Sequence, residues 1–191
     1  GNRRLKIKKA VLFDIDGTVL DSRDFVFDAV KYALTQVGSP YPAEKDLKKV
    51  MGKPLVEFYQ SLSSGIDPLK LSKFHKQFQE QNEHLIKPFP KTHKTLKALE
   101  DLGFSMAAVS NRMRKSLVYS LKLTKTLPFF GVVVAADDVV NPKPHQDHLL
   151  AALKSLKDKP EQAFMVGDSD IDILAGKNAN DKTDKKPDKE I

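Results

Sequence analysis

The segment Asp14-Ile15-Asp16-Gly17-Thr18 follows directly on the short apolar run Ala10-Val11-Leu12-Phe13. In extended backbone, side chains two residues apart point the same way, so the carboxylates of Asp14 and Asp16 can converge on one site. Two close carboxylates repel each other and favour a bound hard cation such as magnesium, which takes oxygen ligands. The pair also suits phosphoryl transfer, in which one carboxylate attacks phosphorus while the other protonates the leaving oxygen and later activates water. Gly17 permits the sharp turn that such a loop needs. Asp16-Gly17 would also fit a hairpin turn between two strands, but residues 18–33 carry a helical pattern.

Other residues of the same chemical character lie further along. Ser110-Asn111 follows an apolar run ending at Val109 and precedes a helical stretch holding Leu117, Leu121 and Leu123. A hydroxyl and backbone N–H groups at that junction suit a phosphate, though an ordinary helix cap has the same appearance. Lys143 stands between Pro142 and Pro144, whose fixed φ can aim an ammonium at a phosphate. In Gly167-Asp168-Ser169-Asp170-Ile171-Asp172, Asp168 and Asp172 are four apart and share a face in a helical first turn, which suits magnesium alongside Asp14 and Asp16. Asp170 reads as a solvated cap residue. His145 and His148 are one helical turn apart but lack the third ligand that a zinc site needs. His75, His84 and His93 read as surface positions, and none of the five histidines is assigned a role.

The elements that must hold these residues alternate. Short apolar runs at Ala10 to Phe13, Phe104 to Val109, Gly131 to Ala136 and Ala163 to Val166 are separated by helical patterns, which implies an α/β fold, a Rossmann-like parallel sheet wound with crossover helices. Asp14 and Asp168 then fall at carboxyl ends of strands, where open parallel sheets bind ligands. Between Ser22 and Lys87 no strand pattern appears. Val26, Ala29, Val30, Ala33, Leu34 and Val37 follow helical spacing up to Gly38-Ser39-Pro40, and Asp67-Pro68 opens a second stripe through Leu71, Phe74, Phe78 and Leu85. The expected organisation is a catalytic core from residues 1–21 and 88–179, an inserted all-helical cap from 22–87, and a polar tail over 180–191. The segment Lys177 to Ile191, almost wholly polar, is expected to fray.

With 191 residues, 40% hydrophobic and 30% charged, the chain has the balance of a globular protein with a sizeable core. No apolar run approaches the length of a membrane span, and the N-terminal residues lack a secretory pattern. The absence of cysteine excludes a thiol nucleophile and thiolate zinc sites, and a cytoplasmic location is expected. The net charge of +7 comes from lysines spread over helical patterns, which suits a solvated surface and an anionic substrate better than a nucleic acid.

Taken in order, Asp14-Ile-Asp-Gly-Thr18, Ser110-Asn111, Lys143 and Gly167-Asp168-x-x-x-Asp172 resemble the four motifs of the haloacid dehalogenase superfamily. The likeness is narrower to its phosphoglycolate phosphatase and β-phosphoglucomutase branch, which carries a helical cap between the first two motifs. Asp21-Ser22, Gly52-Lys53-Pro54-Leu55, Lys87-Pro88-Phe89-Pro90, Asp137-Asp138-Val139 and Ala175-Gly176-Lys177-Asn178-Ala179 add agreement. The resemblance implies a Mg2+-dependent phosphatase, monomeric or homodimeric, acting on a small phosphorylated metabolite and on neither nucleic acid nor membrane. It makes Asp14 the nucleophile and a metal ligand, and Asp16 the general acid and base with its backbone carbonyl on the metal. Thr18 would orient Asp16, Ser110 and Asn111 would hold the phosphoryl oxygens, Lys143 would neutralise charge, and Asp168 and Asp172 would complete or support the metal shell. Lys53, in the cap loop, is expected to influence substrate choice. Mutases of the branch place a histidine five residues after the Asp of the Asp-Ser pair; Val26 stands there, which favours the phosphatase over the mutase alternative. A non-catalytic binding protein on the same fold is disfavoured because every acidic motif position is present. One departure is that relatives continue with a glycine and a further apolar strand where Asn180-Asp181-Lys182-Thr183-Asp184 is polar here.

Overall fold

A computed structural model describes residues 10–63 and 65–180. The first strand, β1 (Ala10–Phe13), is apolar at every position because both faces of its sheet are covered. Val11 and Phe13 enter one buried cluster, and Ala10 and Leu12 enter another on the opposite face. β1 pairs in parallel with β4 (Ser105–Val109) and β6 (Ala163–Val166), and β4 pairs in parallel with β5 (Val132–Val134), giving the order β5-β4-β1-β6. Leu96 of α5 (Thr92–Asp101) and Leu117 and Leu121 of α6 (Arg114–Leu123) fill the first face. The second face is filled by Leu149, Ala152 and Leu153 of α7 (Asp147–Leu156) and Ala175 of α8 (Asp170–Asn180). This is the doubly wound arrangement expected from the alternating pattern.

After β1 the chain forms a short strand, β2 (Leu20–Asp21), antiparallel to β3 (Lys87–Pro88). Between them lie α1 (Arg23–Thr35), α2 (Glu44–Val50), α3 (Leu55–Leu62) and α4 (Pro68–Gln81), with no strand among the described residues. Asp67 caps α4 by accepting from the Leu69 amide at 2.9 Å, and Pro68 occupies the first turn, where a missing N–H costs nothing. These helices enclose their own cluster of Val30, Ala33, Leu34, Leu47, Val50, Phe58, Tyr59 and Leu71. Phe25, at the start of α1, belongs instead to the cluster under the sheet. No helix among the described residues is long and apolar enough to cross a membrane.

The structure corrects the sequence reading in four places. β5 stops at Val134 because Ala136–Asp138 forms a 3-10 turn, with Asp138 accepting from the Ala135 amide at 2.7 Å. Leu85 lies beyond the end of α4, in a separate turn packed under the sheet. His75 is not a surface residue: it is buried at 3% exposure, and its Nδ1 meets the Tyr59 hydroxyl at 2.8 Å. Lys177–Asn180 do not fray but continue α8, whose Ala175 and Ala179 pack on the sheet cluster. The remainder of the expected polar tail, residues 181–191, lies outside the described residues.

Candidate active site

The carboxyl ends of β1, β4 and β6 bring three of the sequence motifs together. The amide of Asp14 bonds to the Val166 carbonyl at 2.9 Å, and that of Ser110 to the Val134 carbonyl at 3.0 Å, so the ladder bonds carry the loop residues out from the strands in register. Gly17 has φ +84, and an added Cβ would collide with the carboxylate of Asp168. Gly167 similarly leaves room for Asp172, whose side chain lies where a Cβ would be. Close approach therefore requires glycine at both positions, and the positive φ of the turn adds a second reason at Gly17.

Lys143 is the fourth member. Its ammonium is buried at 3% exposure and donates to Asp14 Oδ1 at 2.8 Å, Asp172 Oδ1 at 2.6 Å and the Val109 carbonyl at 3.0 Å, so all three donors are satisfied. Burial alone would lower the Lys143 pKa, but the Asp14 and Asp172 charges and hydrogen bonds outweigh it and raise it above the ordinary lysine value. Asp14 responds in the opposite sense for a carboxylate. Burial pushes it up to about 7 against the pull of Lys143, with the charges of Asp172 and Asp16 adding to the rise.

Carboxylate oxygens of Asp14, Asp168 and Asp172 all lie within 4.8 Å of one another. Asp172 is buried, with Oδ2 accepting from the Ser169 hydroxyl at 2.9 Å and amide at 3.2 Å. Asp168 is exposed, and its Oδ1 accepts from the Thr18 hydroxyl at 3.3 Å. Three hard oxygen donors around a point that one ammonium only partly neutralises fit an oxygen-liganded divalent cation. The Asp16 carboxylate lies outside this cluster. Its Oδ1 accepts from Arg112 Nη1 at 3.3 Å, so a metal contact from Asp16 would have to come through its backbone carbonyl.

The remaining expected residues have partners of their own. Ser110 is buried at 2% exposure, its hydroxyl accepting from the Arg112 amide at 3.1 Å and its carbonyl from His148 Nε2 at 2.9 Å. Asn111 donates through Nδ2 to the carbonyls of Gly52 at 2.8 Å and Lys143 at 2.9 Å, and accepts from the Lys143 amide at 2.9 Å. Its carboxamide thus ties the third motif to the helical segment. Lys53 Nζ donates to Ser61 Oγ at 3.0 Å, within that segment. Thr18 points to Asp168 and not to Asp16.

Sequence reasoning missed Arg112, which pairs with Asp16, and His148, a fully buried ring that supports Ser110. The serines at positions 116 and 120, one turn apart and facing the arginine, were the signal available for the first. For His148 the apolar neighbours Leu149, Ala152 and Leu153 marked the helix face but not which polar residue would join it.

A doubly wound sheet with a helical insertion after its first strand and a cluster of carboxylates at its carboxyl edge defines an α/β protein of Rossmann-like architecture. The family model described as haloacid dehalogenase-like hydrolase matches residues 11–183. Pyrophosphatase PpaX of Anoxybacillus flavithermus is 32% identical over 177 residues, covering 91% of this chain and 80% of its own length. The crystal structure of a hydrolase from Pseudomonas syringae superposes with a TM-score of 0.79 at 27% identity, covering 90% of this chain and 81% of that one. A predicted phosphoglycolate phosphatase from Haemophilus somnus shares the fold with a TM-score of 0.82 at 21% identity, over 92% of this chain and 83% of that one. The chain belongs to the haloacid dehalogenase-like hydrolases and is an enzyme of their phosphatase type.

Proposed function

We propose that this phosphatase hydrolyses a small phosphorylated metabolite with the help of Mg2+, through an aspartyl-phosphate at Asp14. The observation that carries the reading is the division between two carboxylates of one loop. Asp14 faces Lys143 and the Asp168–Asp172 cluster, whereas Asp16 is turned to a different wall, against Arg112. Groups placed so differently suit different tasks. When bound by Asp14, Asp168, Asp172 and the Asp16 carbonyl, the cation would supply charge neutralisation for the transferring phosphoryl oxygens.

In the first step a carboxylate oxygen of Asp14 attacks phosphorus, the bond to the leaving oxygen breaks, and Asp16 delivers its proton to that oxygen. Lys143 and the backbone and hydroxyl of the Ser110-Asn111 loop hold the negative oxygens. In the second step Asp16 takes a proton from water, the water oxygen attacks phosphorus, and the bond to Asp14 breaks to release phosphate. Residues 22–87 act as a cap that covers the site, with Gly52 near Ser169 and bonded to Asn111. Lys53 in that cap loop tunes substrate choice.

Pyrophosphate leads the candidate substrates, with phosphoglycolate and sugar phosphates behind it, because the relative PpaX bears the name pyrophosphatase. The test pairs a panel of these compounds with two variants. Asp14→Asn should reduce turnover to background and leave no phosphate on the protein. Asp16→Ala should accumulate phosphate on the Asp14 peptide after brief exposure to an activated aryl phosphate, as read by mass spectrometry. Near-normal turnover by Asp14→Asn, or full activity after chelation of divalent cations, would refute the mechanism.

A further inference from the structure

Arg112 sits in the loop between β4 and α6, two residues past Ser110. Its guanidinium is anchored on α6 and against Phe25. Nη2 donates its two hydrogens to the Ser116 hydroxyl at 2.5 Å and the Ser120 hydroxyl at 2.9 Å, sharing one of them with the Ser116 carbonyl at 3.2 Å, all on α6. Its Cζ lies 5.6 Å from the centre of the Phe25 ring at the start of α1, within reach of a cation–π attraction. Nη1 meets Asp16 Oδ1 at 3.3 Å, with only 16% of the arginine side chain and 20% of the aspartate side chain exposed.

We infer that Arg112 is a positioning residue for Asp16: it grips one carboxylate oxygen from a frame fixed by Ser116, Ser120 and Phe25, and so aims the other at the leaving oxygen. The inference rests on the phosphoryl-transfer reading above. The argument is geometric. Asp16 follows Asp14 by two residues, and its side chain has no other hydrogen bond among the described residues, so Arg112 is the polar group that orients its carboxylate. A guanidinium is always charged, carries donors only, and is planar, so it fixes direction as well as distance. Because Arg112 also donates its amide to the Ser110 hydroxyl, the same residue sets the spacing between the proton donor and the phosphate-holding loop. General acid catalysis loses effect when the donor swings away from the departing atom.

The experiment measures phosphoenzyme formation in a single turnover, comparing an alkyl phosphate, which needs its leaving oxygen protonated, with an activated aryl phosphate, which does not. Arg112→Met should slow phosphorylation by the alkyl ester about tenfold to a hundredfold, slow the aryl ester less than about threefold, and leave KM for both within about twofold. Arg112→Lys should restore part of the alkyl rate. In an Asp16→Ala background, Arg112→Met should add no further loss, because the group it aims is gone. Equal losses on both esters, a tenfold rise in KM without leaving-group dependence, or full additivity with Asp16→Ala would overturn the inference. If Arg112→Met does not fold, the double variant Ser116→Ala with Ser120→Ala removes the frame instead, and the same criteria decide on a smaller amplitude. Failure of the parent reading shows separately, since Asp16→Ala alone would then form no phosphoenzyme from the aryl ester.

Discussion

At the residue scale the site is a problem of charge. Asp14, Asp168 and Asp172 bring three carboxylates together, and Lys143 offers a single compensating charge. Attraction to Lys143 holds Asp14 and Asp172, and glycine gives Asp168 its room, since no side chain fits at Gly17 without displacing that carboxylate. Gly17→Ala should therefore act on the cation site in two ways. The backbone at φ +84 would be strained by about 1–2 kcal/mol, and the new methyl would push Asp168 away from its partners. Divalent-cation affinity measured by calorimetry should fall at least about tenfold, a loss of about 1.4 kcal/mol, together with turnover at fixed magnesium. Gly38→Ala is the control: its φ is +65 and an added Cβ meets nothing within 4 Å. It should lower the melting temperature through strain and leave cation affinity unchanged. Equal affinity loss in both variants would mean that the collision with Asp168 has no consequence.

At the element scale, what could be read in the sequence followed the hydrophobic pattern. β1 matches the apolar run Ala10 to Phe13 because a strand covered on both faces leaves no polar position to blur its ends, and the edge strand β6 matches Ala163 to Val166 although Phe164 and Val166 are exposed. The acidic site was legible for a related reason: strand ends in a parallel sheet gather at one edge, so residue type and order suffice. Polar residues inside helices were not legible. His75 lies on α4 among lysines and glutamines, and only the tertiary contact with Tyr59 of α3 makes it internal. That burial has a measurable consequence. Burial, assisted by the positive charges of Arg112 and Lys76, pushes His75 down to about 3 from its ordinary 6.5, while burial raises Tyr59 and keeps it a hydrogen-bond donor. The unfolded chain takes up a proton below about 6.5 that the native chain refuses until about 3. The stability contribution is thus complete above pH 6.5 and is lost as pH falls towards 3, at up to about 1.4 kcal/mol per pH unit. His148, lowered to about 4 chiefly by burial, adds a slope of the same sign. His75→Gln should flatten the dependence between pH 7 and 5 in chemical denaturation, leaving the part due to His148. An unchanged slope would show that His75 is already charged in the native state.

At the scale of the whole molecule, the sheet clusters and the helical cluster are separate apolar bodies joined through the β2–β3 pair, through α1, and through the polar contact from Asn111 to the Gly52 carbonyl. A contact made of one hydrogen bond between a core side chain and a cap backbone can be broken and remade without exposing much apolar surface. On the reading of residues 22–87 as a cap, Asn111 would report closure to the site, since the same carboxamide holds the backbone of Lys143. Asn111→Ala removes that link. Lys143 keeps its three side-chain contacts with Asp14, Asp172 and Val109, so the chemical step should survive. The unpaired Gly52 carbonyl weakens the closed form by about 1–3 kcal/mol, which lowers its population about fivefold or more. Fluorescence energy transfer between labels at Glu57 on α3 and Lys115 on α6 should then show a longer mean distance in the variant with a phosphate analogue bound. Phosphoenzyme formation from a compact acyl phosphate such as acetyl phosphate should stay within about threefold, while KM for larger metabolites that need the cap rises about tenfold, the factor that 1.4 kcal/mol gives. A variant with unchanged label distance and unchanged KM would mean that the bond to Gly52 only fixes a loop. Loss of phosphorylation from every substrate alike would mean instead that Asn111 acts through Lys143 and not through closure.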